Sequence, residues 1–325
     1  MRIKAAAAWA GLLVVLMGLP FIGSYYENFI LDTILIYTLV AFSLTILIGY
    51  AGQISIGHAG FWALGAFASA IAVGKFGVPF PVGVLLGGIV AGAFGALLAI
   101  PAMRVQGHYL AIATLGFALI TQQALFEWES LTGGRQGLFV PRPSLFGYEL
   151  TEDFSYYYVL IAIVLAFGWL TWRLPKTRFG RRLIALKLSP IAAQSLGVGR
   201  AHYLTVAFTM SAFLTGISGA LYGHLIGHLA TDTFSLVTSL SFLTMAVIGG
   251  VGSPVGAVLG AIYLTLAPEV FRGFKDAQMV VYGLTLVLFM RFMPGGLASL
   301  PARFGKLFGL ARKSAGTLTD AEHRA

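Results

Sequence analysis

The sequence predicts an all-α integral membrane protein, a polytopic helical bundle of about ten transmembrane helices, glycine-rich and in places broken. Three observations lead there. Hydrophobic residues make up 58% of the 325, and mean hydropathy is +0.86. Only 10% are charged, against about 25% in soluble domains. Apolar runs near the roughly 20 residues that cross about 30 Å of hydrocarbon recur along the chain. No stretch is long, polar and mixed enough for a separate soluble domain, so residues 1–325 read as one transmembrane domain.

The runs fall, in order, at 5–23, 29–48, 54–74, 79–100, 109–127, 155–174, 203–223, 236–250, 254–271 and 277–293. The first follows Arg2 and Lys4 and imitates a secretory leader. No clean small-x-small cleavage site follows Leu19, and Trp9, Tyr25 and Tyr26 suit interfacial anchoring, so this run is expected to be a retained helix. With the N-terminus inside, ten crossings put 16 of the 21 basic residues inside, namely Arg2, Lys4, Arg104, seven from Arg173 to Arg200 and six from Arg291 to Arg324. The other five, Lys75, Arg135, Arg142, Arg272 and Lys275, fall outside with ten of the twelve acids. The positive-inside rule therefore expects both termini in the cytoplasm, an extracytoplasmic loop at 128–154, a cytoplasmic loop at 176–200 and a cytoplasmic tail at 294–325. A formal charge of +9 also raises nucleic-acid binding. These basic residues flank membrane segments and no aromatic reading surface accompanies them, so the lipid bilayer is the expected partner and nucleic acid is not.

Glycine punctuates the runs, with 41 copies. Gly88 and Gly92, then Gly219, Gly223 and Gly227, then Gly252, Gly256 and Gly260 repeat every four residues, which aligns each set on one helix face and suits close helix packing. The run Gly249-Gly250-Val251-Gly252-Ser253-Pro254 is the clearest candidate for a helix break. Ile48-Gly49 onward and Ile248-Gly249 onward echo one another, as an internal duplication would.

The tightest intramembrane polar group is Gln53, Ser55 and His58, inside Gly49-Tyr-Ala-Gly-Gln-Ile-Ser-Ile-Gly-His58. Ser55 and His58 are neighbours on a helix face, and Gln53 joins them only if the helix start is unwound. Polar groups in lipid face a bundle interior, where they bond helices together or meet solute, and both readings stand for His58. Thr114, Thr121, Gln122 and Gln123 on the fifth run, and Thr238, Ser239, Ser241 and Thr244 on the eighth, offer further path-lining candidates. Asp32 and Glu127 lie near run ends, leaving His58 as the internal titratable group. An ion-coupled carrier would be expected to keep a charge at depth. A membrane enzyme would need a nucleophile or metal cluster. The chain has no cysteine, and of its six histidines only His224 and His228 share helical i,i+4 spacing, without the Glu-x-x pattern of a zinc motif. No metal or catalytic residue is expected.

The loop 176–200 carries six basic residues and no acid. Leu183, Ile184, Leu186 and Leu188, then Ile191, Ala192 and Leu196, give helix with an apolar side, and Ser189-Pro190 supplies a cap and first-turn proline. Such a helix outside the membrane needs a partner chain, or else lies on anionic lipid.

The string from Gly49 to Phe67 resembles the opening motif of the LivM-type branched-chain amino-acid permeases, membrane subunits of bacterial ATP-binding-cassette importers. Arg104-Val-Gln-Gly-His-Tyr-Leu-Ala-Ile-Ala-Thr-Leu-Gly116, Leu131-Thr-Gly-Gly-Arg-Gln-Gly137, Arg178-Phe-Gly-Arg181 and Ile248-Gly-Gly-Val-Gly-Ser-Pro-Val-Gly256 resemble the same family in order. Importer permeases carry a coupling-helix motif, Glu-Ala-Ala, three residues, then Gly. Ala192, Ala193 and Gly197 match its spacing, while Ile191 replaces the glutamate.

The resemblance implies a permease subunit that moves branched-chain or related amino acids inward, with urea or short amides as alternative solutes and an ion-coupled carrier as the alternative class. The path residues read from the intramembrane polar groups are Gln53, Ser55, His58, Thr114, Gln122, Thr238 and Ser239, and the expected coupling residues are Arg181, Arg182, Ala192, Ala193 and Gly197. The chain has no phosphate-cradling Gly-x4-Gly-Lys-Ser/Thr loop, since Gly74-Lys75 and Gly305-Lys306 are followed by Phe and Leu. No cofactor is therefore expected in this chain. ATP and Mg would be used by two partner ATPase subunits, alongside a second permease subunit and an extracytoplasmic solute-binding protein, in a bacterial inner membrane.

Overall fold

The computed structural model describes residues 17–270, apart from 22, 103–106, 146–147 and 151–152, together with 283, 284, 287, 291 and 296–299. The predicted runs 5–23 and 277–293, the tail 294–325 and Arg104 fall wholly or largely outside the described residues. What is described is an all-helical bundle with two small strand pairs.

Helix α1, Tyr25–Leu44, starts where the Ser24 backbone N–H donates to the Glu27 carboxylate at 2.6 Å, half of a capping box. It widens into a π-helical stretch at Thr45–Tyr50, a form associated with irregular, functional helix segments. Ala51 N–H reaches back to Ile46 and Gln53 N–H to Leu47. Gly52, at φ 68°, then turns the chain. Residues 52–57 are not helical, and α2 begins only at His58 and ends at Gly74. The helical run expected from 54 thus starts four residues late, because Gly52 and Gly57 interrupt it and side chains from other helices take up the freed N–H groups.

Helix α3 spans Phe80–Ala102, α4 His108–Glu127 and α5 Asp153–Arg173. Two short helices follow, α6 (Arg178–Leu188) and α7 (Pro190–Ser195), and then the longest, α8 (Arg200–Ile226). At 27 residues, α8 extends about 40 Å. Helix α9 (Leu236–Gly249) and α10 (Pro254–Val270) are separated by the expected break, with Gly250 at φ 115° and Gly252 at φ 90°. Among the described residues, five helical stretches are long and apolar enough to cross a membrane, and α2, α9 and α10 are shorter apolar helices.

Contacts between segments sort into two ends. At the basic end, Lys187 meets Gly49, Tyr50 meets Thr171, and Gly49 meets Gly252. At the strand end, Lys75 donates to the carbonyls of Ser130 and Leu131, Tyr26 to Glu269, and β1 (Leu138–Phe139) pairs antiparallel with β4 (His228–Leu229). A second pair, β2 (Ser144–Leu145) with β3 (Tyr148–Glu149), lies within the same long loop. Each contact joins segments that an alternating series of crossings puts on one side.

The centre is packed backbone to backbone. A Cβ on Gly65 would strike the Gly216 backbone, one on Gly219 the Trp62 carbonyl, and one on Gly87 the Gly65 carbonyl at 2.5 Å. These contacts lock α2, α3 and α8 together, as small residues do where lipid supplies no hydrophobic drive for association. Gly256 and Gly260 likewise admit the backbone of α9. Gly227 and Gly252 serve differently. Both have positive φ and lie at helix ends, so the four-residue stripes mix packing with termination. Around this centre Trp62 gathers Tyr222, Phe234 and Phe242 at centroid distances of 4.3, 5.1 and 5.2 Å. The outward faces carry large apolar groups such as Leu85, Ile89, Leu97, Ile112, Ile120 and Trp169, the inverse of a water-soluble surface.

Candidate functional site at the helix break

His58 opens α2 beside Ser211, which lies 11 residues after the start of α8 and 15 before its end. At 1.5 Å per residue that is about 17 and 22 Å from the two ends. The non-helical stretch 52–57 therefore runs from the basic end to mid-depth, and α2 completes the crossing. Backbone of this kind is tolerated at depth only when its polar groups are satisfied by protein. Ile56 N–H donates to Thr114 Oγ1 at 2.9 Å, Gly57 N–H to Ser55 Oγ at 3.3 Å, and Ala59 N–H to Ser239 Oγ at 3.2 Å. Close packing holds the same segment, since a Cβ on Gly57 would lie 2.7 Å from the Thr114 carbonyl.

The His58 ring is held at both nitrogens. Ser211 donates its hydroxyl proton to the Ser43 carbonyl at 3.0 Å, so at 3.0 Å from Nε2 its oxygen accepts from Nε2–H. Nδ1 pairs with Ser55 Oγ at 3.2 Å. Thr215 extends the network by donating to Ser43 Oγ at 2.8 Å, and Ser43 donates to the Val40 carbonyl at 2.7 Å. Ser55, His58, Ser43, Ser211 and Thr215 are all buried.

Of the path residues read from the sequence, the structure brings together Ser55, His58, Thr114 and Ser239. Gln53 lies at the other end of the non-helical stretch, bonded to the Ala51 carbonyl, where it lines a cavity of about 160 Å³ with Gly107, Lys187, Pro190 and Arg200. Gln122 is half-buried on α4 away from this group, and Thr238 is turned to the Thr233 carbonyl at 2.7 Å. The sequence reading missed Ser43, Ser211 and Thr215. The spacing 211, 215, 218 puts three hydroxyls on one face of α8, a usable signal. Asp32, read as lying near a helix end, is buried seven residues into α1, close enough to Tyr156 and Tyr157 to interact electrostatically. The indole N–H of Trp62, one turn above His58, is buried without a partner among the described residues.

His224 and His228 do not share a helix face. Helix α8 ends at Ile226 with Gly227 in the left-handed region, which throws His228 into β4. His224 is held by Ser69 at 3.0 Å and the Pro141 carbonyl at 2.9 Å.

At the basic end, Thr177 caps α6 by accepting from Gly180 N–H, and the Ser189 cap of α7 with Pro190 in its first turn is the one read from the sequence. The expected apolar side is divided. Leu183, Leu186 and Ala193 face inward, while Leu188, Ile191 and Leu196 are each at least 80% exposed. Ala193, at 4% exposed, is filled by its own chain and does not present itself to a partner in this conformation. The Ala193–Gly197 spacing has a local cause. Val198 N–H bonds the Ala193 carbonyl and Gly197 N–H that of Gln194, which is a Schellman motif with Gly197 at φ 81°. Arg182 donates to the Tyr203 hydroxyl at 2.6 Å, and the exposed Arg181 to the Lys176 carbonyl at 3.3 Å. Ala192 is exposed.

The sequence has known relatives. The family model described as branched-chain amino acid transport system / permease component matches residues 27–290. The chain is 32% identical to the high-affinity branched-chain amino acid transport system permease protein LivM of Salmonella typhimurium, covering 88% of this chain and 73% of that one. It is 31% identical to LivM of Escherichia coli strain K12, covering 91% and 75%. LivH of the same strain is 25% identical over 82% of this chain and 92% of that one. Among solved structures, PsaBC from Streptococcus pneumoniae in complex with Fab aligns at a TM-score of 0.46 and 15% identity, covering 88% of this chain and 96% of that chain. The chain belongs to the family of permease components of branched-chain amino acid transport systems.

Proposed function

We infer that this chain is the membrane-spanning permease subunit of an ATP-binding-cassette importer for branched-chain or related amino acids, and that it lies in a bacterial inner membrane with both termini cytoplasmic. The observation that carries the reading is the broken crossing. A non-helical stretch reaches mid-depth and is held there by hydroxyls from α4 and α9, with His58 at its end bonded to a hydroxyl of α8, next to a basic, double-capped helical loop with an exposed apolar edge. The names of the relatives at 31% and 32% identity support the solute class.

In this reading Ser55, His58, Thr114 and Ser239 border the path, with Gln53 at its inner mouth and Gln122 and Thr238 farther out. The loop 176–200 docks on an ATPase subunit through Leu188, Ile191 and Leu196, flanked by Ala192, Arg181 and Arg182, while Ala193 and Gly197 shape the helix end. Two ATPase subunits consume ATP and Mg, a second permease completes the path, and an extracytoplasmic binding protein meets the loop 128–154. The 16 basic residues at the inner ends support the orientation.

The test is affinity purification of the tagged chain from cells that express the neighbouring genes. A complex with ATPase subunits and a second permease is expected, hydrolysing ATP faster when leucine-loaded binding protein is added. A chain that purifies alone and takes up solute on a proton gradient overturns the reading.

A further inference from the structure

The carbonyl of Gly49 lies in the last turn of the π-helical stretch, just before the chain unwinds. Its regular helical donor is Gln53 N–H, but that group is diverted to Leu47 at 3.0 Å. Gly49 is thus among the last-turn carbonyls that a helix leaves unsatisfied. Lys187, near the end of α6, supplies the missing donor, with Nζ 2.6 Å from the Gly49 oxygen. An ammonium here is doubly favoured, as a charge-assisted donor and as a cation at a helix C-terminus.

The contact extends along the side chain. A Cβ on Gly52 would lie 2.7 Å from Lys187 Cγ, so the turn that starts the non-helical stretch is moulded around the lysine stem. Across the same point a Cβ on Gly49 would lie 2.6 Å from Gly252 Cα, which pins the far side of the turn to the α9–α10 break. Gly49 and Gly52 therefore have backbone on one flank and Lys187 on the other. The cavity of about 160 Å³ that Lys187 shares with Gln53 and Arg200 leaves open space beside this contact.

We propose that Lys187 is the positioning residue that carries movement of the basic loop into the mid-membrane break, a reading that rests on the importer function inferred above. Helix α6 bears the lysine, and its continuation α7 bears the exposed edge offered to the ATPase. A shift of α6 acts on the Gly49 carbonyl and the Gly52 turn. From there the non-helical stretch leads in six residues to His58. Lys187 is not a solute ligand in this scheme.

Lys187→Met keeps the stem against Gly52 and removes the ammonium. In the reconstituted complex, leucine transported per ATP hydrolysed is expected to fall at least fivefold while the ATPase subunits remain bound. An unchanged ratio in an assembled complex overturns the proposal. A second reading uses the parent complex, so it holds even if the variant does not assemble. Amide exchange over 49–57 is expected to change at least tenfold between nucleotide-free and vanadate-trapped states, in step with 176–200. Exchange that changes at 176–200 and not at 49–57 also overturns it. A parent chain that binds no ATPase subunit fails the functional reading instead.

Discussion

Ser211 accepts a hydrogen bond from His58 Nε2–H at 3.0 Å and donates one to the Ser43 carbonyl at 3.0 Å, so one serine joins three separate membrane segments. Replacing it by alanine strands a buried N–H. Ser211→Ala is expected to cost about 1–3 kcal/mol, read as lower thermal stability in detergent. Ser195→Ala, on the exposed surface of α7, is the control and is expected to change little.

The glycine contacts of the centre predict a steric penalty. Gly65→Ala puts a methyl group into the Gly216 backbone, which has no side chain to swing aside. A loss of about 1–3 kcal/mol is expected, the range for overpacking. Gly116→Ala, on the outer face of α4 with nothing near, is expected to be neutral or slightly stabilising because alanine favours helix. Thermal unfolding of the two variants side by side checks the contrast.

Gly197 isolates conformation from crowding, since its φ is 81° and a Cβ there meets nothing within 4 Å. Gly197→Ala is expected to cost about 1–2 kcal/mol in the loop through left-handed strain alone, with Gly197→Asn milder. Faster proteolysis between α7 and α8 in the alanine variant is the readout. Equal cleavage in all three forms would assign the glycine no structural part.

Topology can be read with single cysteines, because the sequence contains none. Gln194→Cys on α7 and Gln136→Cys in the long loop are both at exposed positions. A membrane-impermeant thiol reagent applied to intact spheroplasts is expected to label position 136 and to reach 194 only after lysis. Labelling of both from the same side contradicts the series of crossings.

Much of the fold was legible because lipid imposes one rule on every run. The crossings, the break at Gly249–Pro254 and the Ser189-Pro190 cap follow from hydropathy, glycine and proline, which act locally. What was not legible depended on pairing across the chain. Position 54 carries an apolar residue like its helical neighbours, and only Thr114 and Ser239, distant in sequence, let the stretch through 57 stay unwound. Ser55 with His58 was visible as a local pair, whereas Ser43 and Ser211 were not, being 168 residues apart. The i,i+4 spacing of His224 and His228 does not put them on one face because Gly227 ends the helix between them. The burial of Ala193 was likewise not legible, since a match in spacing does not reveal which way a side chain faces.

The central claim is that this chain conducts branched-chain amino acids only when a separate motor spends ATP. Proteoliposomes containing the full complex, with ATP and Mg in the lumen and leucine-loaded binding protein outside, test it directly. Accumulation of labelled leucine that requires all three additions and survives collapse of the proton and sodium gradients is the predicted result. Accumulation by this chain without ATPase subunits, driven by either gradient, would contradict the account.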